Sequence, residues 1–355
     1  MSAKKWIKIW VVTIMIIPLI ASINFIIDPY YVFHKEDKFY KGHNNIGFIK
    51  VEYLKENKDK YNSYMMGSSR IGTTNPKVIE KYIKDSSFYN FYLAGANLDD
   101  IRIHLEYMIR EKFNIKNLYL QIGIHNIDNY KFNQFSKSQS HPNIINKQLN
   151  SFYLDRLFSL NYKVYITKYK TFLGKWISHH QVNIQNGVFN YINRDRMIKE
   201  DHDKYIKKEK SFFIINKREK VYKGRIDVEK NMRIINNICN ENNINLIVFI
   251  TPHSRIMLDN YDIKSYLEFL KTISKFNNFY NFSGYNSVTK NDYNYYEKSH
   301  YLSNVGTLIA ARIFNDKSII VPTDFGIYVT KNNIDEHLKN MNEQIIDYDK
   351  KRDNK

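Results

Sequence analysis

A serine, a glutamate and a histidine in two short motifs have the clearest chemical potential in this chain. Ser69 lies in the turn 67–70, Gly-Ser-Ser-Arg, and Glu297 precedes His300 by three positions. A carboxylate can hold a histidine in the tautomer whose other ring nitrogen takes the proton of a serine hydroxyl. These residue types therefore indicate an activated serine nucleophile. Taken singly, each motif is also typical of an ordinary turn or of a surface histidine.

Other polar residues are candidates for the same site. Arg70, directly after the serine, would meet an anionic group of a substrate or form a salt bridge that supports the turn. Gly95 lies just past a predicted strand, where a glycine lets the backbone approach a ligand closely or only permits a turn. Asn97 follows it and is a candidate for substrate binding. We interpret His253, after another predicted strand, as structural.

The elements that would position these residues are predicted strands and helices that alternate along the chain, as in α/β proteins. Short apolar runs alternate with amphipathic stretches, which predicts a parallel sheet of about five strands with helices on both faces. The predicted strands are Tyr61–Met66, Phe88–Leu93, Asn117–Ile122, Leu246–Ile250 and Phe279–Phe282. The predicted helices are Pro76–Ile83, Leu98–Glu111, Val228–Ile238, Tyr266–Ile273 and a last one with Ser303 at its N-cap. Ligands bind at the carboxyl ends of strands in such sheets, where the polar motifs fall.

We assign an α/β domain to 28–315. One segment inside this domain and one after it depart from the alternation of strands and helices. The segment 129–225, with helical hints around 150–169, is too long for an ordinary loop. We interpret it as a largely helical insertion that lines a substrate groove; a surface elaboration without function is the alternative. The polar extension 316–355 should end in a mobile tail.

The N-terminal segment predicts a membrane anchor. Residues 9–27 are almost uninterruptedly apolar and long enough to cross a bilayer as a helix. Lys4, Lys5 and Lys8 precede this segment, so the positive-inside rule leaves residues 1–8 in the cytoplasm and the main domain outside, although lysines also follow the segment. A cleaved signal peptide is the rival interpretation, but the segment is long and lacks a clear cleavage site.

The net charge of the chain favours an anionic partner but does not identify its class. The 355 residues carry a formal net charge of +18, which favours nucleic acid, acidic lipid or an anionic cell-surface polymer. A solvated basic surface is the simpler interpretation of any single run. A nucleic-acid binder facing the cytoplasm is one rival function, but no nucleic-acid-binding motif is present and we predict no such partner. The adjacent His179 and His180 lack helical ligand spacing, so we predict no metal, and no cofactor.

Together the motifs resemble the SGNH (GDSL-like) hydrolase and acyltransferase superfamily. The family's first block, Gly-x-Ser, is matched by 67–69. Its second, Asn-x-Gly-x-x-Gly, is matched by 90–95, where Tyr92 replaces the first glycine. Its last, Asp-x-x-His, is matched by Glu297 and His300, with Glu in place of Asp. The resemblance covers roughly 28–129 and 226–315 and leaves the insertion unexplained.

The family's third block, Gly-x-Asn-Asp, is the poorest match. In the segment 123–126, His125 stands where the family has its oxyanion-binding Asn, and Asn126 comes one position late. The resemblance implies that the backbone N–H groups of Ser69 and Gly95, with a side chain from Asn126 or His125, stabilise an oxyanion.

The match is closer to a branch of anchored bacterial members, similar to teichoic-acid D-alanine transfer proteins and polysaccharide O-acetylation proteins. Those chains also follow a membrane helix with an Asp-Pro-Tyr-like segment, here 28–30. The resemblance implies a three-layer, flavodoxin-like fold and a Ser-His-Glu acyltransferase or esterase outside the cell membrane. Its substrate would be an envelope polysaccharide or a teichoic-acid-like polymer, with acyl groups from a membrane-embedded partner. A non-catalytic scaffold that binds envelope polysaccharide is the alternative.

Overall fold

The computed structural model describes residues 2–34, 39–40, 45–123, 140–145, 147–173, 180–214 and 216–353. The strands are β1 (Phe39–Tyr40), β2 (Ser63–Gly67), β3 (Phe88–Tyr92), β4 (Asn117–Ile122), β5 (His180–Asn183), β6 (Phe189–Tyr191), β7 (Asn245–Ile250), β8 (Phe279–Asn281), β9 (Tyr295–Glu297), β10 (His300–Tyr301) and β11 (Ile327–Val329). The α-helices are α1 (Ala3–Ile27), α2 (Ile46–Glu56), α3 (Lys77–Glu80), α4 (Leu98–Arg110), α5 (Leu149–Leu157), α6 (Tyr162–Phe172), α7 (Ile192–Glu200), α8 (His202–Lys208), α9 (Arg225–Glu241), α10 (Arg255–Leu258), α11 (Ile263–Ser274), α12 (Ser303–Ile313) and α13 (Ile334–Asp353).

Six strands form the central sheet, in the order β11-β8-β7-β4-β2-β3. The pairing of β11 with β8 is antiparallel, and the other four pairings are parallel. The prediction of about five strands falls one short, because the C-terminal β11 adds to the edge formed by β8. In chain order the five parallel strands lie 2-1-3-4-5, a flavodoxin-like order whose direction reverses between β2 and β4. A ligand crevice is expected at the carboxyl ends of those two strands.

Both faces of the sheet are buried, since successive side chains of a strand point to opposite faces. In β4, Leu118 and Leu120 join one core cluster, whereas Tyr119 joins the other. Helices α4, α9, α11 and α13 supply the first cluster, and α3, α10 and α12 supply the second. The chain therefore forms three layers, and this double burial explains why its strands are continuous apolar runs in the sequence.

The amphipathic stretches fold as helices close to their predicted bounds. Helix α4 begins with a capping box: the Asn97 side chain accepts the Asp100 N–H, and the Asp100 carboxylate accepts the Asn97 N–H. Helix α3 is only four residues long, shorter than the predicted 76–83. The prediction that Ser303 caps α12 is wrong, because Ser303 is already the first helical residue.

In its described part, the insertion 129–225 contains the helices α5 to α8 and, in addition, two short strands. Strands β5 and β6 form a hairpin, and β5 also pairs with β1 in a three-stranded antiparallel sheet. The hairpin turn contains Gly187 at φ +75°, and a Cβ there would lie 2.1 Å from the Asn90 carbonyl oxygen. The Asn90 N–H donates to the Asn186 carbonyl at 2.9 Å. The turn therefore packs against the exposed edge of β3.

The C-terminal extension is folded over its described part, so the expectation of a mobile tail is wrong there. Strand β11 pairs with β8, and α13 buries Met341 and Ile345 in the core. The Arg218 guanidinium donates two hydrogen bonds, of 2.8 and 2.9 Å, to the Asp349 carboxylate. Polar residues on the outer face of α13 dominate its composition. For that reason its apolar residues, which pack into the core, do not stand out in the sequence.

Helix α1 is long and apolar enough to cross a membrane. Its most apolar window has a mean hydropathy of 2.4, and only 6% of that window is buried within the protein. Its 25 residues extend about 37 Å, more than the roughly 30 Å of a hydrocarbon core. Asp28 follows the helix as its C-cap, and its carboxylate accepts the N–H groups of Val32, Phe33 and His34.

Replacing Ile345 by Ala should lower the free energy of unfolding by about 2–5 kcal/mol, because this side chain is 1% exposed. Its neighbour Ile346 is 40% exposed, and Ile346→Ala should change stability by no more than about 0.5 kcal/mol. Urea denaturation of the two variants measures this difference. Equal, small effects would mean that α13 does not belong to the core.

Two buried histidines make stability depend on pH. The ring Nδ1 of His104 lies 2.7 Å from the Asp100 carbonyl oxygen, and the Asn281 amide donates to Nε2 of His337 at 2.9 Å. Burial lowers the pKa of each imidazole from 6.5 to about 4. Below pH 6.5 the unfolded chain therefore binds protons that the folded chain excludes.

We expect stability to be full above about pH 6.5 and to fall towards pH 4, with a slope of roughly 1.4 kcal/mol per pH unit for each histidine. His337→Gln keeps a hydrogen-bond acceptor but does not titrate, so this variant should lose less stability over the same range. Urea midpoints at pH 7, 6 and 5 test the difference. An identical slope for both proteins would contradict it.

Candidate active site

The structure brings Ser69, His300 and Glu297 into one hydrogen-bonded chain. Ser69 and His300 are 231 positions apart in the sequence, yet Oγ of the serine lies 2.8 Å from Nε2 of the imidazole. Nδ1 of His300 donates to Oε1 of Glu297, so the serine hydroxyl donates to Nε2. Strands β9 and β10 are antiparallel and pair Glu297 directly with His300. In this arrangement the imidazole can take the serine proton.

The Glu297 carboxylate is held in its charged form. Its side chain is 16% exposed, and burial alone would raise the pKa of the carboxyl group. The hydrogen bonds from His300 and from the Ser299 N–H, the latter 3.0 Å long, outweigh burial, and the net pKa is below its usual value. An ionised carboxylate can stabilise the imidazolium that forms when His300 accepts a proton.

The turn that carries Ser69 is packed against the neighbouring strand β4. The Gln121 side-chain oxygen accepts the backbone N–H of Ser68 at 3.0 Å and its hydroxyl at 3.1 Å. A Cβ at position 67 would lie 2.6 Å from the same oxygen, so only Gly67 permits this approach. The contact with Gln121 therefore explains the glycine at position 67 and fixes the backbone of Ser68.

Asn90 in β3 holds the turn from the other side. Its buried amide donates to the carbonyl groups of Ile71 and Thr74, each at 2.9 Å. Its side-chain oxygen accepts the Tyr92 N–H at 3.2 Å. These bonds satisfy carbonyls at and after the 3₁₀ helix Ser69–Thr73 and fix the backbone directly behind the serine.

Two backbone N–H groups that the resemblance assigns to an oxyanion hole are those of Ser69 and Gly95. Ser69 is the first residue of its 3₁₀ helix, where an N–H has no intrahelical acceptor. Gly95 has φ +66°, the left-handed region that favours glycine, in the turn after β3. Neither N–H donates to another described residue. The other two oxyanion candidates, His125 and Asn126, lie outside the described residues.

The remaining candidates have structural partners. Arg70 is in the same turn, where it donates to the Ser68 hydroxyl at 3.2 Å and is attracted electrostatically to Glu297. Burial lowers the pKa of its guanidinium. Asn97 caps α4, and His253 is buried beyond β7. Within the described residues no group of three or more His, Cys, Asp or Glu side chains is arranged to hold a metal ion.

The insertion contacts the histidine directly. The rings of Phe189 and Tyr191, both in β6, meet the His300 imidazole edge to face, with centroids 6.3 and 5.9 Å apart. These contacts restrict the orientation of the imidazole. Two aromatic walls of the candidate site therefore come from a segment that the sequence motifs do not cover.

Hydrogen bonds from the insertion also hold the loop that carries Glu297. The Tyr205 hydroxyl and the Arg194 guanidinium both donate to the Tyr296 carbonyl, the latter at 3.4 Å. The Ser211 hydroxyl accepts the Lys298 N–H at 3.2 Å. Backbone groups on both sides of Glu297 are thus fixed by α7, α8 and the residues after α8.

Sequence reasoning missed Gln121 and the β5–β6 hairpin as parts of the site, and it placed Asn90 in a family block without assigning it a role. Gln121 is a polar residue inside a buried strand, and such a residue needs a hydrogen-bond partner. The Asn-Gly pair at 186–187, followed by alternating aromatic residues, is a hairpin signal. Neither signal identifies the Ser69 turn or His300 as the partner.

No model of a known protein family matches the chain, and no curated protein matches it.

Asn90→Asp should destabilise the fold by about 2–5 kcal/mol, since it removes both amide donors and buries a charge against carbonyl oxygens. The exposed Asn240 offers a matched control, and Asn240→Asp should cost no more than about 0.5 kcal/mol. Thermal denaturation of both variants gives the comparison. Equal melting temperatures would show that Asn90 does not hold the turn.

Proposed function

We propose that this protein is a membrane-anchored serine acyltransferase or esterase of the SGNH (GDSL-like) type that modifies a cell-envelope glycan or anionic polymer. The hydrogen-bonded chain from Ser69 through His300 to Glu297 is the observation that carries the proposal. The location of the Ser69 turn supports it, because this turn follows β2 at the reversal point of the sheet, where ligands bind in related topologies.

In the first half-reaction, Ser69 Oγ attacks the carbonyl carbon of an ester or thioester while its proton passes to His300 Nε2. The carbonyl oxygen becomes an oxyanion and receives hydrogen bonds from the N–H groups of Ser69 and Gly95. The tetrahedral intermediate then expels the alcohol or thiol, which takes the proton from His300. The acyl group remains on Ser69 as an ester.

In the second half-reaction, His300 takes a proton from water or from a sugar hydroxyl. The oxygen of that acceptor attacks the acyl carbon, and Ser69 leaves with the proton that His300 returns. Water as acceptor makes the protein an esterase, and a glycan hydroxyl makes it a transferase. Throughout, the ionised Glu297 stabilises the protonated imidazole.

Charge and anchoring support an envelope substrate. The net charge of +18 would attract a polyanion such as a teichoic-acid-like polymer. Lys4, Lys5 and Lys8 lie at the N-terminal end of α1, before its apolar segment, so the positive-inside rule directs the α/β domain to the outer side of the membrane. A site held there would meet both a growing surface polymer and an acyl donor supplied by a membrane-embedded partner.

A fluorophosphonate probe, which phosphonylates activated serines, tests the proposal without knowledge of the substrate. We expect covalent labelling of the full-length protein at Ser69, identified by mass spectrometry of the modified peptide. Ser69→Ala should abolish labelling, and it should lower esterase activity towards a chromogenic acetyl ester by about a thousandfold or more.

Ser68→Ala is the adjacent control, because the Ser68 hydroxyl is bonded to Gln121 rather than to His300. This variant should still be labelled at Ser69. Equal labelling of wild-type protein and Ser69→Ala, with the fold intact, would reject an activated serine. The non-catalytic scaffold would then be favoured, and the envelope glycans of cells carrying Ser69→Ala would keep their normal acyl content.

A further inference from the structure

Helix α6, in the insertion, presents an apolar stripe that the rest of the described protein does not cover. Its members are Tyr162, Ile166 and Tyr169, together with Leu173, which follows the helix directly and whose N–H still donates to the Tyr169 carbonyl. They follow one another at intervals of four, three and four residues, so they share one face. All four are exposed, Tyr162 and Tyr169 by 65% and 63%. A soluble helix normally buries such a face, and we call these four residues the α6 stripe.

The turn between α5 and α6 also exposes apolar side chains. Leu160 at the tip is 76% exposed, and Phe158 beside it is 43% exposed. Leu154 on α5 is exposed as well. Two helices and their connecting turn thus expose large apolar side chains over one continuous segment of the chain.

This hairpin is attached to the end of the candidate membrane helix α1. The fully buried Asn24 amide donates to the carbonyl groups of Leu157 at 2.9 Å and of Ser159 at 3.0 Å. The Tyr165 hydroxyl donates to the Asn24 side-chain oxygen, and the Lys168 ammonium donates to the Asp28 carbonyl at 2.7 Å. Both helices of the hairpin are therefore fixed against the last turn of α1.

The contact determines the height of the hairpin relative to a bilayer. Asn24 precedes the last residue of α1 by three positions, which is about 4.5 Å along the helix axis. A helix that spans the hydrocarbon core has this last turn in the headgroup region, which is roughly 5–8 Å thick on each side. The tip of the hairpin therefore lies at headgroup depth.

We propose that α5 and α6 form an interfacial hairpin that inserts the α6 stripe and Leu160 into the leaflet from which α1 emerges. Lys163 and Lys170 flank the stripe, and lysines in this position extend to lipid phosphates while the apolar face sits below them. The proposal rests on α1 crossing the membrane and is independent of the acyl-transfer chemistry.

Attachment to the membrane at two points restrains the orientation of the domain more than a single helix can. A single membrane helix leaves the domain free to rotate about the helix axis and to tilt, whereas a second contact with the bilayer removes most of this freedom. The hairpin belongs to the same insertion as Phe189 and Tyr191, which contact His300. Membrane binding by α5 and α6 would thus hold the candidate site at a defined height and orientation.

Single-cysteine labelling in proteoliposomes tests the inference with the full chain. Cys239 is buried, and burial raises the pKa of its thiol to about 12, so it should not react. An environment-sensitive fluorophore is placed at Ile166→Cys or, as control, at Ile320→Cys. Ile320 is 93% exposed and lies beyond the end of α12 that is remote from His300.

We expect lipids that carry a nitroxide near the headgroup to quench the label at position 166 at least about twofold more than the label at 320. Iodide in the water should show the opposite preference. Equal quenching at the two positions, with unchanged denaturation midpoints, would overturn the proposal. A signal at 166 that depends on protein density instead of nitroxide lipid would also overturn it, in favour of a second copy or a partner protein.

Discussion

The hydrogen bond between Ser69 and His300 imposes the main geometric demand on this fold, because a proton can be transferred only if Oγ and Nε2 stay within hydrogen-bond distance. The two residues belong to loops from opposite ends of the domain sequence. Gly67 and Gln121 fix the first loop through a contact that leaves no space for a side chain. The second loop depends on the insertion, whose polar groups bind the backbone on both sides of Glu297.

The exposed edge of the sheet lies next to this site and has to be covered. Strand β3 ends the sheet, and an open edge presents unpaired carbonyl groups. Lys50 from α2 donates to the Asn90 and Tyr92 carbonyls at 2.8 and 3.0 Å, and its ammonium lies 3.5 Å from the centre of the Tyr92 ring. Burial lowers the pKa of Lys50, so it costs free energy to keep the ammonium group charged in this contact. The turn before β6 accepts a hydrogen bond from the Asn90 N–H as well. The Lys50 side chain and this turn therefore together cover the edge of the sheet.

The sequence predicts the sheet better than it predicts the surroundings of the site. All five parallel strands are evident because burial on both faces produces continuous apolar runs, and the serine and histidine motifs stand out at strand ends. Strand β11 has three residues, two of them exposed, which leaves no periodic signal. The contacts of Phe189 and Tyr191 with His300 join segments more than a hundred positions apart, and a single sequence holds no information on such pairings.

The glutamate at 297 departs from the aspartate that the resemblance implies, and the local geometry gives a reason. Because β9 and β10 pair Glu297 with His300 across two antiparallel strands, the carboxylate has to bridge the separation of about 5 Å between opposite Cβ atoms. The longer side chain does so and still leaves its second oxygen to accept the Ser299 N–H. With both oxygens bonded, the carboxylate has a single orientation. An acid one methylene shorter would need the loop to move closer, and the hydrogen bonds from the insertion resist that movement.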